Sequence, residues 1–186
     1  MRLLKYGEGK NAILMLHGRG SDAEDIIGLA SSFDAVSYAF TADGNQWYPQ
    51  RFIVPKKDNE PFLSSNLKNV SQIITNLKQE YEKVFLLGFS QGACLALEYA
   101  SKNDVDGVIA FSGGLIGNDE ELAVEKKCNV FISCSKNDPH IPFERAEKTV
   151  ELFENTGGAV KKYFHEGSTH MITPKEIDMA KEMIND

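Results

Sequence analysis

The stretch from Lys83 to Glu98, KVFLLGFSQGACLALE, limits the fold more than any other part of the chain. Val84 to Leu87 is an apolar run with no polar alternation, the pattern of a strand covered on both faces, and it stops at Gly88. After Gly92 the apolar residues Ala93, Leu97 and Ala100 fall at helical spacing. The reading is strand, tight turn, helix. Gly88-Phe89-Ser90-Gln91-Gly92 fits G-x-S-x-G, in which two missing side chains let strand and helix pass closely and leave the serine strained and accessible. The backbone N–H of Gln91 would open the helix facing the same point, where a developing anion could accept from it. A five-residue pattern with free positions also arises by chance; the strand before it and the helix after it make this one specific.

At 186 residues the chain is expected to form one domain, 1–186, with no length to spare for a large cap over a site. The net charge of −7 argues against nucleic acid or an anionic membrane surface as a partner. No apolar run is long enough to span a bilayer, and no leader pattern opens the sequence, so the expected location is cytoplasmic. Cys94, Cys128 and Cys134 form no C-x-x-C pair and no complete disulfide set. They share no compact spacing with His17, His140, His165 and His170, so no metal and no cofactor are implied.

Taken in order, Arg2 to Tyr6 reads as a short edge strand and Asn11 to Leu16 as a buried one ending at His17-Gly18-Arg19-Gly20. Ser21 with Glu24 resembles a capping box for a helix running through Ala30. The glycine loop lacks the spacing of nucleotide-binding fingerprints, and the N–H of Arg19 is a candidate second oxyanion donor. His17 could act as a base, but a histidine at a strand end more commonly braces its loop. Asp34 to Phe40 is a strand, and Trp47 on the next loop either walls an acyl pocket or anchors the loop to the core. Gln50 to Glu60 reads as irregular surface chain, followed by a helix over Leu63 to Tyr81. Beyond the serine lie strands at Asp106 to Phe111, Asn129 to Cys134 and Ala159 to Phe164, a short acidic helix around Asp119 to Lys126, a helix over Phe143 to Glu154, and a terminal helix opened by Thr173-Pro174-Lys175-Glu176.

Alternating strands and helices imply an α/β fold, a mainly parallel sheet with helices on both faces and functional groups on loops at the strands' carboxyl ends. A serine hydroxyl needs a histidine to take its proton and a carboxylate to orient that histidine, and in this architecture they follow in the order serine, acid, histidine. Asp138 and His170 have that order and placement. Asp104 and Asp106 precede a strand, Asp119 sits beyond a longer loop, and His165 lies close to its strand's end. Asp138-Pro139 also reads as a simple turn initiator, so the assignment rests on the combination.

With these residues in view, the chain resembles the phospholipase/carboxylesterase family of α/β-hydrolases, which includes acyl-protein thioesterases and small bacterial carboxylesterases. The matching motifs are LHGRG (Leu16 to Gly20), WYP (Trp47 to Pro49), GFSQG (Gly88 to Gly92), SGGLIG (Ser112 to Gly117), DPHIP (Asp138 to Pro142) and G-x-x-H (Gly167 to His170). The resemblance implies a triad of Ser90, Asp138 and His170, oxyanion donors from the backbone of Arg19 and Gln91, and a substrate-side role for the loop carrying Trp47. Trp47, Tyr48, Leu115 and His140, all within these motifs, are the candidate substrate contacts. Lys136 and His165 depart from the family's usual residues, an acid and a proline.

The expectation is a cofactor-free serine carboxylesterase acting on short- to medium-acyl esters. The alternatives are a thioesterase or lysophospholipase with the same triad, or a hydrolase fold that only binds. Whether two chains pair as a homodimer is left open.

Overall fold

The computed structural model describes residues 2–185; Met1 and Asp186, the outer bounds of the expected domain, lie outside the described residues. Seven strands form one sheet: β1 Leu3–Tyr6, β2 Asn11–Leu16, β3 Val36–Phe40, β4 Lys83–Phe89, β5 Gly107–Phe111, β6 Val130–Ser135 and β7 Val160–His165. Their spatial order is β1-β3-β2-β4-β5-β6-β7, and only the β1–β3 pairing is antiparallel. The helices are α1 Ala23–Ile27, α2 Phe62–Leu77, α3 Gln91–Ala100, α4 Phe143–Asn155 and α5 Pro174–Asn185.

Side chains alternate across a strand, so each central strand feeds two cores. Ala12, Leu14, Leu16 and Leu86 face a core completed by α2, α3 and α4, through Val70, Ile74, Leu95, Val150 and Phe153. Ile13, Met15, Phe85 and Leu87 face the other, completed by α1 and α5 through Ala23, Ile26, Ala180 and Ile184. This two-faced covering is why the strands read as unbroken apolar runs. Every residue of α3 is buried, so the helix behind Ser90 is enclosed all round rather than merely amphipathic.

The structure differs from the sequence expectations at four points. The cap of α1 is Asp22, not Ser21: Asp22 has extended backbone and its Oδ1 accepts from Asp25 N–H at 3.0 Å, while Ser21 Oγ donates to Asp25 Oδ2. The helix ends at Ile27, and Ala30 belongs to a separate 3-10 turn, Ala30–Ser32. Instead of a helix around Asp119 to Lys126 there is a single 3-10 turn, Asp119–Glu121, closed by an Asn118 capping box. Leu122 and Val124 pack on the core two residues apart, a spacing that extended chain satisfies and a helix does not. Finally, Gln50 to Glu60 is more than surface chain: Phe52 is buried, and fully buried Asn59 accepts from Gln50 N–H and donates to the Arg51 carbonyl.

At the start of α5, the expected box forms as read: Thr173 N–H donates to Glu176 Oε2 and Glu176 N–H to Thr173 Oγ1. That helix start fixes the end of the loop that carries His170.

Candidate active site

Ser90 joins β4 to α3 with φ 54° and ψ −117°, a left-handed geometry that costs a non-glycine residue energy. The surroundings enforce it. A Cβ on Gly92 would lie 2.1 Å from the Leu16 carbonyl oxygen, and one on Gly88 would lie 2.4 Å from the Gly92 carbonyl, so only glycine lets α3 start so close to β2 and β4. Ser90 N–H is held by the Phe111 carbonyl at 2.9 Å, which ties the turn to β5.

Asp138 follows β6, and His170 lies between β7 and α5. The imidazole bridges the other two side chains: Nδ1 lies 2.7 Å from Asp138 Oδ2 and Nε2 lies 2.8 Å from Ser90 Oγ. An ionised carboxylate only accepts, which puts the ring proton on Nδ1 and leaves the Nε2 lone pair facing the serine hydroxyl. The Asp138 side chain is fully buried, and its Oδ1 accepts from the N–H groups of His140 and Ile141 at 2.8 and 3.0 Å. Asp138 is therefore both a turn initiator and a fixed, desolvated acceptor for His170. Phe89 and His140 pack against the His170 ring, with centroids 4.9 and 4.7 Å away, and limit its rotation.

The loop after β2 approaches from the other side. A Cβ on Gly18 would come within 3.6 Å of Ser90 Cβ, so the glycine loop that carries Arg19 borders the serine. The N–H groups of Arg19 and Gln91 donate to no other group among the described residues, unlike those of Ser90, Gly20 and Ser21. Unpaired N–H groups beside a nucleophile are what a forming oxyanion requires.

His17 does not join the cluster. It is fully buried, accepts from Ala42 N–H at Nε2 and donates from Nδ1 to the Gly18 carbonyl, so it braces the loop; burial holds its pKa below the usual histidine value. His165 points elsewhere, with Nε2 3.7 Å from the buried Glu176 carboxylate. Asp104 pairs with Lys126, Asp106 accepts from Val84 N–H, and Asp119 pairs with Arg145.

A cavity of about 430 Å³ opens onto the site, lined by residues including Ser90, Gln91, His170, Tyr48, His140, Arg19 and Arg51. Tyr48 and His140 are among the residues that line it. Trp47 and Leu115 are not among its lining residues, which corrects the expectation of substrate contact for both. Trp47 is fully buried, packs against His17 and Phe40 and donates from Nε1 to the His17 carbonyl, and Leu115 is a core residue on the side of α4. Cys94 also borders the cavity, but burial pushes its thiol up to about 12, which keeps it protonated and unreactive.

Sequence reasoning assigned only the backbones of Arg19 and Gln91; their side chains have separate work. Gln91 accepts from Trp47 N–H and donates to the Tyr48 carbonyl, while the Arg19 guanidinium donates to the carbonyls of Tyr48, Pro49 and Gln50. Together they clamp the 47–50 loop against the serine turn. No spacing in the sequence reports bonds to main-chain carbonyls about thirty or more positions away.

The sheet agrees with the relatives the chain matches. The phospholipase/carboxylesterase family model matches residues 5–186. The chain belongs to that family. A phospholipase/carboxylesterase structure from Dyadobacter fermentans is 35% identical, with a TM-score of 0.90 and coverage of 100% of this chain and 96% of that one. The putative hydrolase MhqD of Bacillus subtilis is 24% identical over 195 residues, covering 97% of this chain and 95% of its own. Acyl-protein thioesterase 2 from Zea mays, at 16% identity and a TM-score of 0.79 over 99% of this chain and 97% of that one, shares the fold. The protein is accordingly an α/β-hydrolase that acts on esters, with no large cap among the described residues. No helix among the described residues is long and apolar enough to cross a membrane.

Proposed function

We propose that this is a cytoplasmic, single-domain serine hydrolase that cleaves small carboxylic esters through an acyl-enzyme on Ser90. The observation that carries the reading is the continuous chain from Asp138 through His170 to Ser90, with links of 2.7 and 2.8 Å, opening on a cavity beside two unspent backbone N–H groups.

His170 Nε2 takes the hydroxyl proton as Ser90 Oγ attacks the carbonyl carbon. The resulting oxyanion accepts from the N–H groups of Arg19 and Gln91, which are already in place and need no reorganisation. Asp138 stays ionised and offsets the charge of the imidazolium. His170 then gives its proton to the leaving alcohol, and the C–O bond to it breaks. In the second half, water loses a proton to His170 and attacks the acyl carbon; the carboxylic acid leaves and Ser90 regains its proton.

Short and medium acyl groups are favoured, since the cavity is about 430 Å³ and no inserted segment among the described residues roofs it. A thioester carbonyl meets the same groups with a thiol as the leaving group, so matched substrates decide between the two. The test is an ester and thioester series from acetyl to palmitoyl, run on wild type and Ser90→Ala. Esters of short acids should be turned over best, and Ser90→Ala should lose turnover on all. Best turnover of the longest chains, or an active Ser90→Ala, would overturn the reading; a preference for thioesters would reassign the protein as a thioesterase.

A further inference from the structure

The chain carries a net charge of −7, yet the cavity at Ser90 has no acidic residue among its described lining residues. Two arginines line it instead, Arg19 and Arg51. The nearest carboxylate along the catalytic chain, Asp138, is fully buried behind His170 and already accepts three hydrogen bonds. The N-terminus of α3, with its partial positive charge, also faces the serine. An acidic protein has thus kept its one catalytic hollow free of negative charge and lined it with cations.

The two arginines are not equivalent. Arg19 spends three N–H groups on the carbonyls of the 47–50 loop, a structural use. Arg51 is exposed, and its guanidinium makes no hydrogen bond and no ion pair among the described residues. Its backbone is nevertheless fixed: buried Asn59 donates to the Arg51 carbonyl at 3.2 Å, and the next residue, Phe52, is buried under the Arg145 guanidinium. A charged fork on an anchored backbone, lining the same cavity as the nucleophile and paired with no side chain among the described residues, is available to recognise a charged group on a substrate. One free planar fork matches the two oxygens of one carboxylate.

We infer that the substrate is an ester, or thioester, carrying a free carboxylate on its acyl or its alcohol half, and that Arg51 determines this specificity by pairing with that carboxylate. The inference rests on the Ser90 reading and goes beyond it.

Two substrate pairs test it. Mono(p-nitrophenyl) adipate against p-nitrophenyl heptanoate places the charge on the acyl half; p-acetoxybenzoate against its methyl ester places it on the alcohol half. In one pair the wild type should have the higher kcat/KM for the charged member. In Arg51→Gln that preference should fall about threefold to tenfold, the size of a partly solvated charge-assisted pair, with the change mainly in KM. Arg51→Lys should recover part of it, and added salt should weaken it in wild type. A neutral preference in both pairs, or a ratio unmoved by Arg51→Gln, would overturn the inference while hydrolysis lost in Ser90→Ala left the serine reading standing. Undiminished hydrolysis by Ser90→Ala would remove both.

Discussion

Replacing Asp138 by asparagine changes one atom, and the structure dictates how the amide must sit. Oδ1 accepts from two backbone N–H groups, those of His140 and Ile141, so an NH2 group there would face two donors. The amide oxygen is therefore held in that position, and Nδ2 is turned toward His170 Nδ1, 2.7 Å away in the wild type. An N–H pointing at Nδ1 forces the ring proton onto Nε2. That nitrogen then offers Ser90 a donor where an acceptor is needed, and no carboxylate stabilises the imidazolium. Loss of the working tautomer in a serine triad lowers kcat by about 10⁴, or about 5.5 kcal/mol of barrier. The fold should survive, because the amide keeps both backbone bonds, each weaker by about 1 kcal/mol without the charge. Steady-state hydrolysis of a short p-nitrophenyl ester, with far-UV circular dichroism and a urea midpoint on the same sample, gives both numbers. A folded Asp138→Asn with kcat within about tenfold of wild type would refute the assigned role of the carboxylate.

Gly92→Ala should destabilise the protein by at least about 3 kcal/mol, because the added methyl meets the backbone of Leu16 and His17 at 2.1 to 2.6 Å and no side chain can move aside. Gly20→Ala is the control, with φ +80° but nothing within 4 Å, and should cost about 1 kcal/mol; urea unfolding showing equal losses would contradict the tight-turn argument. His17 adds a pH dependence: burial lowers its pKa in the folded state, so its contribution is fully present above the unfolded value near 6.5 and declines as pH falls toward the depressed folded value. Unfolding free energy should drop by up to about 1.4 kcal/mol per pH unit below about pH 6.5 in wild type, and His17→Gln should flatten that slope; parallel slopes would show that the imidazole is not held neutral.

The sheet was readable because strands buried on both faces carry an unbroken apolar signal, and the turn at Ser90 because glycine alone fits at Gly88 and Gly92. Order along the chain pointed to Asp138 and His170, since the parallel topology puts every strand's carboxyl end on one rim. Less was readable where contacts are long-range and local pattern is silent. Trp47 on a turn-rich loop looks the same facing inward or outward; His17 and Phe40 hold it inside, which nothing near position 47 announces. Ser21 and Asp22 are both good caps, and only the path of the chain after Gly20 chooses between them. Arg51 carries no motif, and its place at the cavity depends on Asn59 folding the 50–60 segment back on itself.

The central claim is that Ser90 Oγ is the nucleophile and that His170 activates it. Intact-mass and peptide analysis after treatment with a fluorophosphonate measures this most directly. One phosphonyl group per chain is expected, on the peptide containing Ser90, and almost none at the same time point in folded His170→Ala. Stable labelling of another residue, or no labelling of a folded wild type that still hydrolyses esters, would contradict it.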